Sequence, residues 1–103
     1  MVGNSSDRFI VYGLRETYHL LGEYEFKVVL NPKYFKNSHA CFMKLVDGSG
    51  MPMKYEITKW GRKINCKFAL DDSVSDGVCL ASMDLVDSEG KPEQARVTFW
   101  CIK

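Results

Sequence analysis

Leu45-Val46-Asp47-Gly48-Ser49-Gly50-Met51-Pro52 decides the reading of this chain, because it returns forty residues later as Leu85-Val86-Asp87-Ser88-Glu89-Gly90-Lys91-Pro92. In each copy the Asp offers a side-chain acceptor that opens a turn, and the Gly supplies a positive φ. The Pro then restricts ladder pairing at the start of the next strand. The match runs outward on both sides. Met43 aligns with Met83, Ile57 with Val97, Thr58 with Thr98 and Trp60 with Trp100. Upstream, Phe26-Lys27-Val28-Val29-Leu30-Asn31 aligns with Cys66-Lys67-Phe68-Ala69-Leu70-Asp71. Residues 23–60 and 63–100 are thus two versions of one unit: a strand, a longer connection and a hairpin.

Period-two alternation dominates the rest. Tyr24, Phe26, Val28 and Leu30 share one face, with Glu23, Glu25 and Lys27 on the other. Ile64, Cys66, Phe68 and Leu70 repeat the pattern, and Asn31-Pro32 and Asp71-Asp72-Ser73 end these two strands. Strands are expected near 8–14, 23–30, 40–46, 54–60, 64–70, 78–86 and 95–102. The pair 40–46/54–60 is expected to form one hairpin and 78–86/95–102 another. Tyr18-His19-Leu20-Leu21 reads as a short strand or a crossing loop, and 31–37 as a single helical turn. Neither unit can bury its apolar face alone, so the two are expected to pack face to face. The fold class is all-β: a Greek-key sandwich of about seven antiparallel strands. Residues 8–103 form one domain, and residues 1–7 are expected to be flexible.

This layout resembles the immunoglobulin and fibronectin type III folds, in which strands B-C-C′ echo E-F-G. The resemblance is one of pattern. Phe26 stands where strand B of an antibody domain carries Cys, and Cys41-Phe42-Met43 lacks the strand C Trp. Cys79 holds the place of the corner Tyr, and Ala81 that of the second Cys. Ser75 through Lys91 also resembles the closing hairpin of bacterial and phage immunoglobulin-like accessory modules. The resemblance implies a non-catalytic accessory domain in a larger chain or assembly.

The chain has 103 residues, 46% of them apolar and 26% charged, with a net charge of +1. Near-neutral charge with scattered cations argues against a nucleic-acid surface. No apolar run reaches the roughly 18–20 residues that cross a bilayer, and residues 1–7 lack the pattern of a signal peptide. Cys41, Cys66, Cys79 and Cys101 share strand parity with apolar neighbours and lack zinc spacing, so they read as reduced core thiols. One or two disulfides stay open as an alternative. This favours a cytoplasmic setting, with an excised extracellular domain as the alternative.

No cofactor, metal or catalytic residue is expected. His39 beside Cys41 is the nearest approach to a nucleophile–base pair, and a surface His at a loop end is the simpler account. Asp71-Asp72, Asp76 and Asp87-Ser88-Glu89 read as turn residues. The residues opposite the core parity on 40–46, 54–60, 78–84 and 95–102 include Phe42, Trp60, Leu80, Arg96, Trp100 and Ile102. With these four strands side by side, they form the candidate partner-binding surface, for another protein or a second copy. Cover by Tyr12, Leu14 and Tyr18, or a bulge that turns Trp100 inward, are the competing accounts. The alternative function is a ligand-binding sandwich. It takes carbohydrate on Trp60 and Trp100, or lipid between sheets lined by Phe26, Val28, Phe68 and Phe99. Edge-strand addition is a second docking mode.

Overall fold

A computed structural model describes residues 5–103, so residues 1–4 of the segment expected to be flexible lie outside the described residues. Eight strands run in the order β1 (Phe9–Tyr12), β2 (Thr17–Tyr18), β3 (Gly22–Leu30), β4 (Phe42–Val46), β5 (Tyr55–Trp60), β6 (Lys63–Leu70), β7 (Gly77–Val86) and β8 (Pro92–Cys101). Two four-stranded sheets result, ordered β1-β3-β6-β5 and β2-β8-β7-β4. The short second strand is real: Thr17 and Tyr18 pair in parallel with Trp100 and Cys101. In 31–37 the Asn31 carbonyl accepts from the amides of Tyr34 and Phe35, both at 3.0 Å, which makes one hydrogen-bonded turn.

Parity places the core as the alternation requires. Phe26, Phe68 and Phe99 are each at most 2% exposed. Ring centroids lie 5.0 Å apart for Phe68–Phe99, 6.0 Å for Phe26–Phe68 and 5.3 Å for Tyr18–Phe99. These contacts fill the space between the sheets that a lipid would need. Burying a Phe side chain is worth about 1.5–3 kcal/mol, so this cluster is a main source of sandwich stability.

The two repeat units interlace instead of facing each other as separate sheets. Phe26 pairs directly with Cys66 across β3 and β6, and Met43 with Met83 across β4 and β7. Each of these residues meets its own counterpart in the repeat. An approximate two-fold axis therefore passes through both pairs, and each sheet takes strands from both units.

The third strands break this symmetry. β7 and β8 form the expected hairpin, paired from Val86–Pro92 to Gly77–Cys101. The first unit starts its hairpin identically: Val46 bridges Pro52, and the Met53 amide donates to the Leu45 carbonyl at 3.1 Å. It then stops. β5 crosses to the other sheet and pairs with β6, so the expected 40–46/54–60 hairpin does not form. The next pair in that hairpin would set Lys54 against Lys44. At the matching place in the second turn, Gln94 Nε2 donates to Asp84 Oδ1 at 3.0 Å. On β6, β5 instead sets Glu56 against Lys67. Like charges opposite one another destabilise a ladder and opposite charges support it. Met53, 6% exposed, also anchors the crossing in the core, where its counterpart Glu93 lies on the flank of the sandwich.

Candidate functional site

The outer face of the β2-β8-β7-β4 sheet can be read row by row from its register. Thr17, Trp100 and Val78 lie in one row, and Thr98, Leu80 and Val46 in the next. Arg96, Ser82 and Lys44 follow, then Gln94, Asp84 and Phe42. Trp100 is 47% exposed, Val78 39% and Ile102 45%, with Leu80 and Val46 half-buried. These five side chains make one continuous apolar patch at one end of the sheet. Ile102 is fixed there because its amide donates to the Tyr18 carbonyl at 2.9 Å. Its carbonyl accepts from His19 Nδ1 at 2.8 Å. The cationic row of Arg96 and Lys44 borders the patch.

Of the six residues marked from sequence, Leu80, Trp100 and Ile102 come together, with Arg96 beside them. Phe42 does not join them. It pairs with Asp84, six residues along β7 from Val78, about 20 Å at strand rise. Its ring lies under the Lys59 ammonium at 4.2 Å. Trp60 is on the other sheet altogether, opposite Lys63 and 83% exposed. The supposed four-strand face fails because β5 changed sheets. Val78 and Val46 join the patch, placed beside Trp100 and Leu80 by cross-strand register alone.

Neither competing account of the face holds among the described residues. Tyr12 belongs to β1, in the opposite sheet, Leu14 packs against the core, and Tyr18 is buried in it at 2% exposure. Trp100 keeps its outward parity, with Cys101 and Phe99 inward on either side.

The loops at the ends carry organised carboxylates. Asp47 Oδ1 accepts from the Ser49 amide (2.9 Å), Ser49 Oγ (2.8 Å) and the Met51 amide (3.0 Å). Asp47 Oδ2 accepts from the Ser75 amide at 3.1 Å. Four donors favour the charged form, the Ser75 amide foremost, and hold this buried carboxyl down at about 2. Asp71 is also lowered, mainly by the hydroxyl and amide of Ser73. These carboxylates are occupied in closing turns.

Cys41, Cys66, Cys79 and Cys101 are all free and buried. Burial pushes the Cys66 and Cys79 thiols up to about 12 and raises those of Cys41 and Cys101. Cys41 is fully enclosed while His39 is exposed. A thiol held neutral in the core lacks the thiolate character that nucleophilic attack needs. Among the described residues no helix is long and apolar enough to cross a membrane.

The pairing order and the packed inter-sheet core define an immunoglobulin-like sandwich. The M1 domain from titin has this fold: it superposes with a TM-score of 0.53 at 11% identity, covering 91% of this chain and 92% of that one. No protein family and no curated protein sequence matches the chain.

Proposed function

We propose that this domain is a non-catalytic interaction module that binds a protein surface through the Trp100–Val78–Leu80–Val46–Ile102 patch. The observation that carries this reading is the patch's position: large apolar side chains stay in water on the outer face of a sandwich whose core is already filled. Interface centres favour an aromatic with Arg nearby and a polar surround, and Trp100 with Arg96 and Lys44 has that composition. The fold shared with a domain of titin, a larger chain, agrees with an accessory role. Carbohydrate stacking on both tryptophans is disfavoured, since Trp60 and Trp100 lie on different sheets and no single sugar meets both.

The test compares three immobilised forms in native extract: wild type, Trp100→Glu and Trp60→Glu. A partner retained by wild type and Trp60→Glu should fall by at least about tenfold with Trp100→Glu, the scale of an interface hot spot. Equal retention by all three forms removes the patch from the account.

A further inference from the structure

The sandwich has edge strands β1, β5, β2 and β4, and the chain itself closes β1 and β4. On β1 the Phe9 carbonyl accepts from the Ser6 amide at 2.9 Å, and the Val11 amide donates to Ser5 Oγ at 3.0 Å. On β4 the Leu45 carbonyl takes the Met53 amide at 3.1 Å, and the Met43 carbonyl takes the Tyr55 hydroxyl at 3.4 Å. Just before β4, the Cys41 carbonyl takes Lys59 Nζ at 3.2 Å. β2 covers only Trp100 and Cys101 of β8, and the β8 edge beyond it opens on Pro92 and carries Glu93 and Arg96, residues that blunt an edge.

β5 differs. The Ala69 amide donates to the Lys54 carbonyl at 3.0 Å, so residues 54, 56, 58 and 60 turn their backbone groups toward β6. By antiparallel alternation Tyr55, Ile57 and Lys59 turn theirs outward. Among the described residues nothing caps those outward groups. The strand Tyr55-Glu56-Ile57-Thr58-Lys59-Trp60 has no proline and no glycine, and its β-branched and aromatic residues suit a ladder. An uncapped edge of this kind is a template for a further strand.

We propose that β5 pairs antiparallel with β5 of a second copy, joining two four-stranded sheets into one across a two-fold axis. Register selects this occupant. Outward groups meet only if odd residues face odd residues. With Ile57 on the axis opposite its own copy, Tyr55 faces Lys59, Glu56 faces Thr58 and Lys54 faces Trp60. The last pair sets a cation beside an indole, and no like charges meet. A slip by two residues in one direction sets Glu56 against Glu56. In the other it sets Ile57 against Lys59. A two-fold contact of this type closes on itself, so it yields a dimer and no fibre. The interface shares no strand with the Trp100 patch and stands independently of it.

Sedimentation velocity over a concentration series tests the pairing. The wild-type chain should pass from its 11.8 kDa monomer to twice that mass as concentration rises. Ile57→Pro removes an outward amide without touching the β6 ladder, and should raise the dimer dissociation constant by at least about tenfold. Circular dichroism shows whether that variant is folded. Thr58 is exposed, and its two variants do not depend on that outcome. Thr58→Lys places a cation opposite Glu56 of the copy and should tighten the dimer, while Thr58→Glu places like charges there and should weaken it. The proposal is overturned by a monomer at every concentration, or by a dimer that ignores both Thr58 variants. A dimer lost in Trp100→Glu but kept in Thr58→Glu overturns it as well and assigns self-association to the outer face instead.

Discussion

The turns at 45–52 and 85–92 share five residues of eight, yet they do different work. Asp87 accepts from the Glu89 and Lys91 amides at 2.9 and 2.8 Å and closes its own turn. Asp47 does the same and also takes the Ser75 amide from the loop between β6 and β7. The second turn meets the opposite unit differently, through the Ser88 amide on the Tyr34 carbonyl at 2.7 Å. Gly48, where the second copy has Ser88, lies so close to that loop that a Cβ would fall 2.8 Å from the Asp76 carbonyl oxygen. The first turn holds the opposite unit through its Asp side chain, and the second through a backbone amide. A local motif encodes its own closure, and neighbours decide what else it holds.

Alanine at the two aspartates should separate these roles most strongly. Asp47→Ala leaves three part-buried amides without an acceptor, one of them across the two units, and should cost about 2–3 kcal/mol in urea unfolding, against about 1 kcal/mol for Asp87→Ala. The acid limb sharpens the contrast. The folded Asp47 carboxyl sits near 2, below its ordinary 3.8. Its contribution is therefore whole above about pH 4 and fades as pH falls through about 2. Asp47→Ala should flatten that limb of the stability–pH curve. An unchanged limb would mean that the contact with Ser75 does not hold in solution.

A smaller difference is expected one residue on. Gly48→Ala should cost about 2 kcal/mol by thermal unfolding, since the added methyl meets backbone that cannot move aside cheaply. Ser88→Ala keeps its amide bond to Tyr34 and should stay within about 0.5 kcal/mol of wild type. Equal costs at the two positions would refute the close approach.

The smallest effect concerns the crossing itself. Lys54→Glu would turn the Lys44–Lys54 clash of the unformed hairpin into an attraction and remove the exposed Lys54–Asp71 ion pair of 3.6 Å. The β5–β6 ladder should then loosen by about 0.5 kcal/mol, a change of roughly twofold in amide exchange at 56, 58 and 60. Exchange that stays the same would discount charge as the reason for the crossing.

Much of this was legible beforehand. The inward parity of Phe26, Cys66, Phe68, Cys79 and Phe99 follows from alternation, and both turns from their Asp and Gly. The sheet assignment of β5 was not legible. Met53, Tyr55 and Ile57 keep the same inward parity whether β5 pairs with β4 or with β6, so the hydrophobic pattern is blind to the choice. The same blindness puts Trp60 beside Trp100 in the sequence pattern, although the two lie on different sheets.

The amino-acid order by itself determined an all-β sandwich with a doubled unit, its core residues and its turns, because period-two burial and turn chemistry act over a few neighbouring residues. Only the tertiary structure decided which strands lie side by side, that Trp100 keeps company with Val78 and Ile102, and that β5 presents uncapped backbone on its outer edge. Those outcomes depend on competition between partners distant in the chain, such as Lys44 against Lys67 for the strand that carries Lys54 and Glu56. A local pattern does not record who wins.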